Sequence, residues 1–212
     1  VPDAASIIED GMTVIVDGSE GIVIADPDKE TQQFYIEKQA AFAAEKKLLA
    51  DFADRPTVTA DGRKKEVYCN IGNISDAVTA SEKSGEGIGL FRTEFLFMES
   101  EHAPDEELQF ETYKKAAQLF KDGSVIIRTL DVGGDKNIPY LGMQPEDNPF
   151  LGFRAVRCCL ENKELFRTQL KAILRTSAFG RIRIMVPLVT SVIEIRQVRQ
   201  LIEEIKCELE AE

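Results

Sequence analysis

The chain has 212 residues, 43% apolar and 30% charged, the make-up of one large globular domain or a medium domain with an appendage. A net charge of −11 without any dense Lys/Arg block excludes a general nucleic-acid binder and an anionic-lipid binder, both of which need a basic footprint. The longest apolar runs, such as 182–189, are far too short to span a bilayer, and no signal-peptide pattern opens the chain, so a cytoplasmic protein with no membrane partner is expected.

Residues 13–16 and 21–25 are short β-branched runs separated by Asp-Gly-Ser-Glu, a hairpin signal in which Gly18 and Gly21 supply turn freedom. The hairpin is too small to hold a core and reads as the end of another domain. Asp26-Pro27 reads as a helix cap followed by proline at the first helical position. A long, mostly solvated helix then runs to about residue 54, where Arg55-Pro56 stops it.

After Pro56 strands and helices alternate: a strand at 66–71, a helix at 75–84, a strand at 87–91 and a helix at 105–121. A strand at 124–130, helices within 152–177, a strand at 181–189 and an amphipathic helix at 191–209 follow. Four β-α units in series predict a parallel sheet with right-handed crossovers, in either a doubly wound or a barrel architecture. The lack of a Gly-x-Gly-x-x-Gly at the first helix weakens a dinucleotide-binding reading. Cys69, Cys158, Cys159 and Cys207 lack metal-ligand spacing and read as reduced, mostly buried thiols. The lone histidine, His102, falls in the polar stretch Glu-His-Ala-Pro-Asp and reads as a loop residue.

Arg92 in Phe-Arg-Thr-Glu and Arg128 in Ile-Arg-Thr-Leu-Asp each end an apolar strand at its carboxyl end, where parallel α/β proteins bind ligands. Two guanidiniums on one rim can trap phosphate or carboxylate. Equally, Glu94 could pair with one arginine and Asp131 with the other as structural clamps. The Gly-Gly-Asp-Lys stretch after Arg128 places Lys136 in a loop suited to approaching a phosphate, or in a plain turn. Arg154, in DNPFLGFRAVR, either adds a third cation near the rim or lies on a helix surface.

Three stretches in order, GIGLFRTEFLFMES, IIRTLDVGGDKNIPYL and DNPFLGFRAVR, resemble the Enzyme I family, the phosphoenolpyruvate-protein phosphotransferases of the bacterial sugar phosphotransferase system. LFRTQLKAILRTSAFGRIRIMVPLVTSVIEIRQV continues the likeness, and DGSEGIVIADPDKE is similar to the tail of that family's phosphohistidine domain. The resemblance implies residues 1–25 as the end of that swivelling domain, 26–55 as a linker helix, and 56–212 as the first half of a (β/α)8 TIM barrel that binds phosphoenolpyruvate. It implies Arg92 and Arg128 as substrate-binding arginines, with Arg154 near the phosphoryl group. It also implies magnesium as cofactor, a histidine-containing phosphocarrier protein as partner, a homodimer at full length, and a role in sugar transport.

The family's phospho-accepting histidine would lie before residue 1, and its metal carboxylates and catalytic cysteine beyond Glu212, so no catalytic or metal residue is assigned in this chain. About 250 residues make a complete barrel, and 66–212 supply four of eight units. The chain therefore reads as a fragment that does not turn over phosphoenolpyruvate alone. Two other readings stand beside it: a stand-alone regulatory or interaction module derived from the family, and a fragment of the related pyruvate phosphate dikinase or phosphoenolpyruvate synthase.

Overall fold

The computed structural model describes residues 4–53, 55–133, 138–144, 146–148 and 150–211. The chain forms two compact units, Val1–Arg55 and Pro56–Glu212.

The first unit opens with a short helix, α1 (Ala4–Ile7), and an antiparallel hairpin of β1 (Val14–Asp17) and β2 (Ile22–Ala25), with Asp17 opposite Ile22 at the turn. The turn is closed by the Asp17 carboxylate, which accepts from the backbone N–H groups of Ser19 at 3.0 Å and Glu20 at 3.2 Å. Only Gly21 of its two glycines takes a positive φ, +69°. Helix α2 (Lys29–Ala50) starts later than Asp26-Pro27 suggests. Asp28 is the cap, its side chain accepting from Thr31 N at 2.7 Å, so Pro27 lies before the cap and leaves its carbonyl to Gln32 Nε2 at 2.8 Å. No residue of α2 is buried, as a solvated helix requires. Lys38 ties α2 to the hairpin through Asp17 at 2.6 Å and Glu20 at 2.5 Å.

In the second unit β3 (Tyr68–Ile71), β4 (Gly87–Arg92), β5 (Ser124–Arg128) and β6 (Arg181–Met185) form one parallel sheet in the order β3-β4-β5-β6. The connecting helices are α3 (Ile74–Glu82), α4 (Glu94–Met98), α5 (Glu106–Leu119), α6 (Val156–Glu161) and α7 (Lys163–Thr176), and α8 (Val192–Ala211) follows β6. The order separates the two architectures that the sequence leaves open. A doubly wound sheet reverses direction at a switch point, whereas strands added always on the same side by right-handed crossovers place every helix on one face. Ile71, Ile88, Phe91, Val125 and Ile127 form that covered face with Phe110, Tyr113 and Ile173 of the helices. Asn70, Arg181 and Arg183 alternate with covered residues along β3 and β6 and are exposed. The sheet is therefore singly wound, as part of a (β/α)8 barrel is, and the described residues form no closed barrel.

A second core joins Phe97, Leu130, Val132, Ile138, Val156 and Phe166 with Val198 and Ile205 of α8, beyond the carboxyl end of β5. Helix α4 is absent from the sequence expectation, which assigns no element between the strand at 87–91 and the helix at 105–121. All four cysteines are free, and Cys158 and Cys159 are buried on α6.

A candidate anion-binding rim at the ends of two strands

Arg92 and Arg128 are register partners, the last pair of the β4–β5 ladder, so two guanidiniums leave the sheet side by side at its carboxyl edge. A bulge makes this possible. Ile88 is paired with Val125 but Phe91 with Ile127, so β4 spends one residue more than β5 over the same interval. Without it Arg92 would lie level with residue 129, and strict alternation would turn it to the same face as Ile88, under the helices. With it, Ile88 and Phe91 both enter the core and Arg92 emerges on the open face with Arg128. Gly89, in the interior of β4, is the sequence signal for such a bulge.

Two carboxylates hold the cations. Glu94, in the first turn of α4 and with a fully buried side chain, accepts on Oε1 from Arg92 Nε at 3.3 Å and from Arg128 Nη2 at 2.5 Å. Asp131 Oδ2 pairs with Arg128 Nη1 at 3.0 Å, and its Oδ1 with Arg154 Nη2 at 2.9 Å and Nε at 3.3 Å. Among the described residues the row Arg92–Glu94–Arg128–Asp131–Arg154 thus alternates three guanidiniums with two carboxylates.

Exposure ranks what each arginine can reach: its side chain is 37% exposed at Arg92, 14% at Arg128 and 5% at Arg154. The Arg92 guanidinium lies over the Phe95 ring at 4.6 Å, and among the described residues its terminal nitrogens have no hydrogen-bond partner. Arg128 Nε is buried without one. Arg154 sits on Asp131 and not on a helix surface; the next residue, Ala155, has φ of 50°, a strained value for a residue with a Cβ. The first glycine of the Gly-Gly pair has a role that its sequence context does not disclose: a Cβ on Gly133 would come within 2.6 Å of Arg154 Cβ, so it makes room for that side chain. Gly134 and Lys136 lie outside the described residues.

Behind the rim a buried polar network runs into the helix layer. Thr93 Oγ1 donates to Arg128 O at 2.7 Å and accepts from Gln169 Nε2 at 3.1 Å, and Gln169 Oε1 accepts from Leu130 N at 2.9 Å. Tyr113 is fully buried beside them, and burial pushes its phenol well above the ordinary range, so it stays a neutral donor and acceptor. Sequence reasoning missed Gln169. The available signal is a polar residue at 169 on the apolar stripe Phe166, Leu170, Ile173 of α7.

Among the described residues no group of three or more His, Cys, Asp or Glu side chains could hold a metal ion, and Glu94 and Asp131 of the rim are already committed to arginines.

The family model for the PEP-utilising enzyme, PEP-binding domain, matches residues 46–212. The chain is 46% identical over 205 residues to a phosphoenolpyruvate-protein phosphotransferase of Priestia megaterium, covering 97% of this chain and 36% of that protein. It is 46% identical to that of Bacillus subtilis over 96% of this chain and 36% of the relative, and 45% identical to that of Staphylococcus carnosus over 97% and 36%. The chain therefore spans about a third of the length of these curated relatives. Strand ends that present paired arginines on a singly wound α/β sheet, and a family match over most of the chain, place it among the PEP-utilising enzymes, through their PEP-binding domain.

Proposed function

We propose that Arg92 and Arg128 grip the anionic groups of phosphoenolpyruvate, within a larger phosphoenolpyruvate-protein phosphotransferase of which this chain is a part. The observation that carries the reading is the register pairing of Arg92 with Arg128 at the sheet's carboxyl edge, with the Arg92 terminal nitrogens open among the described residues. Phosphoryl transfer asks a protein mainly for positioning and for neutralising charge that spreads over the transferred oxygens. Two guanidiniums fixed side by side supply both. Arg154, nearly buried against Asp131, supports the rim electrostatically and is secondary as a direct contact. Lys136 is assigned the weakest part, as a loop cation.

In the whole protein the phosphoryl group passes to a histidine and then to a small phosphocarrier protein on the way to sugar uptake, in the cytoplasm and as a homodimer. Residues 1–25 then end the phosphohistidine domain, 26–55 link, and 56–212 begin the barrel. A magnesium ion would take its protein ligands from outside the described residues. A second reading has its own observation: Glu94 is fully buried and shared by both arginines, as in a purely structural clamp.

Calorimetric titration of phosphoenolpyruvate into the chain decides between them, with Arg92→Ala and Arg128→Ala as variants. The expected result is weak binding that fades as salt rises and is lost in both variants. No binding by a chain shown by circular dichroism to be folded, or binding that survives both substitutions, would leave the clamp as the better account.

A further inference from the structure

We infer that Gln169 is a positioning residue for the rim: from the helix layer it sets the spacing of the backbone segments that carry Arg92 and Arg128. The inference rests on the reading of the rim as the phosphoenolpyruvate site. Gln169 is fully buried on α7, among Phe166, Leu170 and Ile173, where a primary amide survives only if its hydrogen bonds are made. Its bonds converge on the residues that follow the two arginines. Nε2 donates to Thr93, the residue after Arg92, and Oε1 accepts from Leu130 N, two residues after Arg128. Thr93 in turn donates to the carbonyl of Arg128 itself. The β4–β5 ladder ends at Arg92 and Arg128, and Thr129 N turns to Met185 O on the other side. Past that last pair the strand ends are joined through Thr93 and Gln169.

The orientation of the amide is dictated from both ends. Gln109 Nε2 donates to Pro104 O at 2.8 Å, which leaves Gln109 Oε1 to accept from the Tyr113 hydroxyl at 3.2 Å. The Tyr113 oxygen is then an acceptor, 3.4 Å from Gln169 Nε2. At the other end the Leu130 N–H can only donate, so it must meet Oε1. An amide satisfies this pattern; a carboxylate of the same shape has no donor for Thr93 or Tyr113, and a thioether has neither function. With the amide gone, the Thr93–Arg128 bond and the shared Glu94 still join the strand ends, but the tie of Thr93 to Leu130 through α7 is lost, and a two-point anion grip is sensitive to the spacing that results.

The test compares phosphoenolpyruvate affinity of the 212-residue chain with that of Gln169→Met, Gln169→Glu, Thr93→Val and the control Ile173→Val, below the melting transition of each. Ile173 is buried on the same helix but faces the sheet core. The expected outcome is a loss of about tenfold or more for Gln169→Met and Gln169→Glu, with Ile173→Val near wild type at comparable loss of stability. The ¹⁵N resonances of Arg92 Nε and Arg128 Nε should shift in the Gln169 variants and not in the control. Should the Gln169 variants fail to fold, Thr93→Val cuts the same tie from the other end and should give the same loss, with Thr93→Ser near wild type. Affinity lost in the arginine variants but no more in the Gln169 or Thr93→Val variants than in the control would overturn this role while leaving the binding reading intact. Binding indifferent to both arginines, or absent from the folded wild type, would remove the reading and this inference together.

Discussion

At Glu94 a single carboxylate oxygen receives both Arg92 and Arg128, from a side chain with no exposure at all. Removing that charge leaves two guanidiniums at neighbouring strand ends with Asp131 as the remaining carboxylate in the row. Breaking a buried pair in this way costs about 3–5 kcal/mol, and Glu94→Gln should fall in that range by urea denaturation. An anion that sits between the arginines would restore part of the loss. Inorganic phosphate should therefore raise the melting temperature of Glu94→Gln by more than it raises that of the wild type; equal shifts would mean that the anion does not meet this pair. Gly133 makes a second case at this scale. The Cβ of Gly133→Ala would meet Arg154 Cβ at 2.6 Å and push that side chain off Asp131. Overpacking of this kind costs roughly 1–3 kcal/mol, and the cost should shrink in an Arg154→Gly background, which removes the opposing Cβ. An undiminished cost there would place the clash elsewhere.

The strand periods, the long helices and the arginine positions are legible in the sequence because each rests on spacing along one segment. The bulge in β4 is half legible: Gly89 marks an irregular strand, but the extra residue is measured against β3 and β5, far off in sequence. Gln169 and Gly133 are answered by residues 76 and 21 positions away, Thr93 and Arg154, and no local pattern contains that partner. The cap of α8, by contrast, is made by neighbouring residues alone. Ser191 and Glu194 form a capping box at the start of α8: Glu194 accepts from Thr190 N at 2.7 Å and Ser191 N at 2.8 Å, and Ser191 Oγ accepts from Glu194 N at 3.3 Å. Ser191→Ala should cost about 1 kcal/mol. The N–H of Thr190, then that of Ser191, holds the Glu194 carboxyl below its ordinary value of 4.5. A depressed folded pKa means that the contribution is complete above about pH 4.5 and is lost as pH falls through the folded value. The stability difference between wild type and Glu194→Gln should accordingly narrow on acidification below that point; a difference that grew would have the wrong sign for this cap.

Within the second unit the helices cover one face of the sheet, while Tyr68, Leu90, Ile126 and Met185 stand part-buried on the other beside exposed Asn70 and Arg183. Among the described residues β3 pairs only with β4 and β6 only with β5, so both edges have a free side. Such a face and such edges favour association with a second copy or with any chain that can extend the sheet. Opposing this is the net charge of −11, which repels copies over a distance set by the ionic strength, about 30 Å at 0.01 M and 8 Å at 0.15 M. The balance predicts a direction. At low salt the purified chain should be mostly monomeric, and added sodium chloride should drive concentration-dependent association as repulsion is screened and apolar contact is left to act. Sedimentation velocity over a range of salt and protein concentration measures this directly. A chain that stays monomeric at every salt concentration would mean that the open face is closed in solution by a rearrangement of the sheet. Dissociation on adding salt would mean that ion pairs, and not the apolar face, join the copies.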